Sequence, residues 1–140
     1  MWHSFAMEPF RVHEVLTQSK VIAIVGVSDK PDRPSYGVAK YLKENTDFTL
    51  VFVNPAITQL FDQPVYPTLT AAAQIAPIDV VDVFRKVEDM GPILGESIAI
   101  GAKVFWMQLG LRSDELAAKA EAAGLTVIQD KCIKIELEKL

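Results

Sequence analysis

The stretch that decides the fold is Val21-Ile22-Ala23-Ile24-Val25-Gly26, followed by Val27 and Ser28. Its apolar run does not alternate with polar residues, so the strand it predicts must be covered on both faces, as at the centre of a parallel sheet. The same texture recurs at Thr49–Val53, Asp79–Phe84, Lys103–Met107 and Leu125–Ile128. Between these runs, apolar residues at helical spacing predict helices over Tyr36–Asn45, Leu69–Ala76, Gly91–Ile100 and Ser113–Ala123. Ser113 is placed as an N-cap and Gly124 as a C-terminal stop. Val12, Val15 and Leu16 predict an opening helix over Pro9–Thr17, and Cys132–Leu140 reads as an amphipathic tail.

Parallel neighbours need long crossovers, and those crossovers are right-handed. Five such strands alternating with helices therefore predict a doubly wound, Rossmann-like α/β fold: a five-stranded parallel sheet in a three-layer αβα arrangement. At 140 residues the chain suits one domain over 1–140, with 1–20 an N-terminal extension and opening helix.

Half the residues are hydrophobic and 23% are charged, the composition of a folded globular chain. A net charge of −4 argues against broad binding to nucleic acid or to an anionic membrane surface, although a local basic site remains compatible with it. The apolar runs are far shorter than the roughly 20 residues of a transmembrane helix. With Cys132 as the single cysteine, no intrachain disulfide forms, and a reducing cytoplasm is the expected location.

Ligands of doubly wound sheets collect at the carboxyl ends of the strands, near the point where strand order reverses. After the first strand comes Gly26 to Ser35, a long turn that delivers the chain to a helix N-terminus, where backbone N–H groups and the helix dipole favour phosphate. Lys30 and Arg33 add positive charge there; a solvated loop that merely starts a helix is the plainer alternative. The dinucleotide fingerprint G-x-G-x-x-G is not met, because residue 28 is Ser and the next glycine is Gly37. Asn54, after the second strand, stands where an NAD site would place an acidic residue; it suits either a ligand hydrogen bond or an Asx turn. Phe84 and Arg85 close the third strand, a ring suited to an adenine, to pantetheine or to core packing beside a guanidinium suited to phosphate. Gln108 and Gly110 follow the fourth.

Both histidines, His3 and His13, precede the first strand, so no imidazole is placed for a nucleophilic triad in the cleft. No spacing of His, Cys or carboxylates suggests a metal site, and the P-loop motif is missing. The apolar context of Cys132 predicts a buried, inert thiol.

Ile24-Val25-Gly26-Val27-Ser28, Asp32 to Tyr36, Val53-Asn54-Pro55, Val81 to Arg85, Trp106 to Gly110 and Asp130 to Glu136 together carry a family likeness. The chain resembles the small stand-alone CoA-binding proteins related to the nucleotide-binding domain of the succinyl-CoA synthetase α subunit. That resemblance implies coenzyme A or an acyl-CoA across the strand ends. Gly26, Val27 and Ser28 would lie against the phosphates, Lys30 and Arg33 near the nucleotide end, Asn54 and Pro55 after the second strand, and Phe84 and Arg85 along the cofactor. It also implies binding without catalysis, since the histidine-bearing ligase domain of the synthetase has no counterpart here. An NAD(P)-dependent oxidoreductase and a CoA-site subunit for a separate acyl-CoA synthetase are the alternatives. Residues 56–58, Ala-Ile-Thr, lack the basic residue that relatives often carry after Asn-Pro. Neither oligomeric state nor a protein partner is specified by these motifs.

Overall fold

The structure is a computed structural model, and it describes residues 8–140. In chain order the elements are α1 (Glu8–Gln18), β1 (Val21–Val25), α2 (Pro34–Asn45), β2 (Thr49–Val53), β3 (Gln59–Leu60), β4 (Gln63–Tyr66) and α3 (Leu69–Ala73). They continue with β5 (Val80–Val83), a 3₁₀ turn (Val87–Asp89), α4 (Met90–Ala99), β6 (Val104–Met107), α5 (Asp114–Ala122), β7 (Thr126–Ile128) and α6 (Ile133–Glu138). The sheet order is β3-β4-β2-β1-β5-β6-β7, with every pair parallel except β3 and β4.

The chain leaves β1 toward β2 on one side and later returns to pair β5 on the other, so strand order reverses between β1 and β5. Alternate residues of β1 enter different cores. Ile22 and Ile24 join Phe52 and Trp106 under Val15 and Leu16 of α1, Val38 and Leu42 of α2, and Ile133 of α6. Ala23 and Val25 join Val81 and Phe105 under Leu69 of α3, Met90 and Leu94 of α4, and Ala117 and Ala120 of α5. The side chains of β1 from Ile22 to Val25 are thus buried on both faces, as the uninterrupted apolar run requires.

The five expected strands are present, each starting at the anticipated residue or one later, but the sheet has seven strands, not five. The extra two are a short hairpin at the β2 edge. Phe61 and Asp62 turn it, both with positive φ (51° and 60°), the backbone form that matches a two-residue hairpin turn to strand twist. Neither is glycine, and strands of two and four residues containing Pro64 carry too little pattern to be seen in the sequence. The anticipated caps are in place: Ser113 Oγ accepts from Leu116 N at 3.2 Å, and Gly124 follows α5 with φ +94°.

Among the described residues no helix is long and apolar enough to cross a membrane, and no group of three or more His, Cys, Asp or Glu is placed to hold a metal ion.

Candidate functional site

At the carboxyl ends of β1, β2, β5 and β6 lies an open cleft of about 750 Å³. Its position is that expected for a doubly wound sheet, spanning the β1–β5 reversal. The loop after β1 forms one wall. Ser28 N donates to Ser35 Oγ at 2.9 Å, and Ser28 Oγ accepts from Lys30 N at 3.0 Å, so two hydroxyls hold the loop against the start of α2. Pro34 occupies the first turn of α2, where its missing N–H costs nothing. Arg33 at the N-cap supplies no side-chain cap, which leaves that helix end available to an anion.

Lys30, Arg33, Arg85 and Lys86 border the cleft, against the carboxylates of Asp29 and Asp89. None of these four cations takes part in an ion pair among the described residues, although five other basic side chains do. An acidic chain therefore carries a local concentration of unpaired positive charge at one end of its sheet. Gly26 lies at its centre with φ +86°. A Cβ there would stand 2.9 Å from the Phe84 carbonyl oxygen and 3.1 Å from Arg85 Nε, so only glycine lets the β1 and β5 ends approach this closely.

Of the residues anticipated from the sequence, Gly26, Ser28, Lys30, Arg33, Asn54, Phe84, Arg85 and Gln108 all border this cleft. Val27, Pro55 and Gly110 do not. The Val27 side chain is wholly buried in the core beneath the loop, leaving only its backbone near the opening. Pro55 is exposed outside the cleft, and Gly110 N is engaged by Asp130 Oδ1 at 2.7 Å. Asn54 borders the cleft, yet its amide serves the fold: Nδ2 donates to Val27 O and Oδ1 accepts from Ala56 N, both at 2.8 Å. The second of these is the Asx turn, and the first ties the loops after β1 and β2 together.

Cys132 corrects its sequence reading. It is half-buried and borders the cleft, because Ile133 is the residue of the tail that enters the core, which leaves the thiol one position earlier at the opening. Lys86 was missed, although it directly follows Arg85 past the end of β5, where strand-end reasoning reaches it. Ser35 and Leu109, which lie within the strand-end stretches already singled out, also line the cleft, as do Ile57 and Leu111, which no local pattern marks. His13 is exposed on α1 away from the cleft, and His3 lies outside the described residues.

Beneath the β6 end of the cleft sits a buried acid. Asp82, in the middle of β5, is fully enclosed; its Oδ1 accepts from Gln108 Nε2 at 2.6 Å, while Oδ2 has no hydrogen-bond partner among the described residues. Burial pushes its carboxyl up to about 7, against the smaller, opposing effect of the Gln108 bond.

Comparison with known proteins agrees with this fold. An uncharacterized protein of Bacillus subtilis (strain 168), YneT, is 37% identical over 124 residues, covering 89% of this chain and 90% of that one. A hypothetical protein from Pyrococcus horikoshii OT3 superposes with a TM-score of 0.86 at 34% identity, covering 94% of this chain and 91% of that one. The structure of cell-free ID.343 from Thermus thermophilus superposes with a TM-score of 0.85 at 29% identity, covering 95% and 98%. The model of the CoA binding domain matches residues 20–138, from the entry to β1 through the end of α6 and including every residue bordering the cleft, and the chain belongs to that family.

Proposed function

We propose that the cleft binds coenzyme A or an acyl-CoA and that this chain does not itself turn the ligand over. The observation that carries this reading is the set of four cations, unpaired among the described residues, that border one cleft together with the uncapped start of α2 and the apolar side chains of Phe84, Leu109 and Leu111. Such a site suits a ligand with a phosphate-rich head and a neutral arm. Lys30 and Arg33 would meet the nucleotide phosphates, with Gly26 and Ser28 offering close backbone approach and Arg85 a further phosphate contact. Phe84, Leu109 and Leu111 would lie along the less polar parts. NAD is the weaker fit: it lacks the 3′-phosphate, and Asn54, in the place of a ribose-binding carboxylate, has its amide engaged by Val27 and Ala56. Binding without turnover is supported by the cleft lining among the described residues, which holds no histidine to serve Cys132 as an imidazole base.

Thermal melts test the ligand. CoA at a hundredfold excess over its dissociation constant is expected to stabilise the fold by about 2.7 kcal/mol, and NAD much less. Arg33→Ala should cost roughly 1.5 to 3 kcal/mol of CoA binding through a lost charge-assisted contact, without unfolding the protein. Dephospho-CoA should lose little on the same substitution. Equal stabilisation by NAD and CoA would sink the cofactor assignment, while equal loss of CoA and dephospho-CoA would remove only the 3′-phosphate role of Arg33.

Occupancy of the cleft should also be visible at Cys132. As the single cysteine, it reports alone in an alkylation assay, and CoA is expected to slow its modification several-fold by covering the thiol. Cys132→Ser should leave CoA affinity nearly unchanged. An alkylation rate indifferent to saturating CoA would show that the ligand does not reach this end of the cleft.

A further inference from the structure

Gln108 stands two residues beyond Trp106, the β6 residue in register with Asp82, so its side chain shares the face of the sheet that Asp82 occupies. The carboxamide is nearly enclosed, at 4% exposure, and borders the cleft. Its Nε2 is committed to Asp82 Oδ1. Above pH 7, where it is ionised, Asp82 only accepts, so it admits the nitrogen of Gln108 and rejects its oxygen, which fixes the flip of the amide. No hydrogen bond to Gln108 Oε1 occurs among the described residues, and the sole enclosed side-chain polar atom without a partner there is Asp82 Oδ2. The Gln108 oxygen is thus an uncommitted acceptor among the described residues, on a side chain that borders the cleft.

Lys30 and Arg33 lie in the loop after β1, while Gln108, whose backbone N–H donates to Val83 O at 3.3 Å, lies beside the end of β5 and is followed in the cleft lining by Leu109 and Leu111. A neutral acceptor among apolar walls suits an amide N–H better than a phosphate. We propose that Asp82 is a positioning residue that holds Gln108 Oε1 toward the cleft as the acceptor for a secondary amide N–H in the neutral arm of the ligand. This rests on the CoA reading of the site, since the pantetheine arm carries such amides and the nucleotide half does not.

Calorimetric titration at pH 8.5, where Asp82 is ionised, separates the two halves. The ligands are CoA and 3′-phospho-ADP, which keeps the nucleotide half and lacks the arm. Asp82→Leu and Gln108→Leu are each expected to weaken CoA about tenfold, the worth of one buried hydrogen bond, while 3′-phospho-ADP stays within about twofold. Asp82→Asn retains an oxygen acceptor for Gln108 Nε2 and should restore most of the CoA affinity. The proposal is overturned if Asp82→Leu binds CoA as the wild type does, if it weakens both ligands equally, or if Asn restores nothing. Should Asp82→Leu fail to fold, Gln108→Leu decides alone: no loss, or equal loss of both ligands, overturns it. A wild-type chain that binds neither ligand sinks the CoA reading itself, an outcome distinct from a wild type that binds CoA with no difference between the halves.

Discussion

Asp82→Asn is expected to stabilise the fold more at pH 8 than at pH 5, by up to about 2.6 kcal/mol. In the unfolded chain the Asp82 carboxyl titrates near its ordinary value of 3.8, while in the folded protein burial raises it to about 7. Between these values the folded state holds a proton that the unfolded state has released. Stability contributed by that proton is present at low pH and is lost as pH rises toward 7; above 7 the loss is complete and the curve flattens. An Asn at this position has no proton to lose, so the difference between variant and wild type isolates this titration from every other carboxylate. Urea melts of both proteins at pH 5, 6, 7 and 8 measure it. A difference that stays constant across the series would show that Asp82 is not held neutral by its surroundings.

Gly26→Ala should cost about 2 to 4 kcal/mol of stability and most of the CoA affinity in whatever fraction folds. Two physical effects add. A residue with a Cβ at φ +86° is strained by roughly 1 to 2 kcal/mol. The new methyl would also stand 2.9 Å from the Phe84 carbonyl, which is backbone and cannot swing away, and 3.1 Å from Arg85 Nε, which would be driven from its place beside the β1 loop. Gly110→Ala supplies the comparison. Its φ is +87°, but nothing lies within 4 Å of the added methyl, so only the strain remains. Denaturant melts that gave the two variants equal losses would show that the closeness of the β1 and β5 ends is not what reserves residue 26 for glycine.

The elements of this fold were legible where local physics is strong. Ile22 to Val25 could only be a strand buried on both faces, and Ser113 and Gly124 bracket α5 with groups that satisfy its end hydrogen bonds. The hairpin of Gln59–Leu60 and Gln63–Tyr66 was not legible, since its turn places non-glycine residues at positive φ and its strands are too short to show a period. Strand-end reasoning found the two cations of the β1 loop and Arg85, because the residue after a strand is fixed by the strand itself. It stopped one residue short of Lys86.

By itself the sequence determined the strand and helix alternation, the switch-point loop and its charge, and the family likeness, since each rests on neighbours in the chain. The tertiary structure alone decided the rest. Val27 points into the core and Pro55 away from the cleft because sheet packing, not proximity in sequence, sets which side of a loop faces a ligand. Cys132 reaches the opening only because Ile133 is drawn under the sheet. Asp82 and Gln108 are 26 residues apart and become partners only when β5 and β6 pair in register, and the enclosure that raises the Asp82 carboxyl exists only once the helices cover that face.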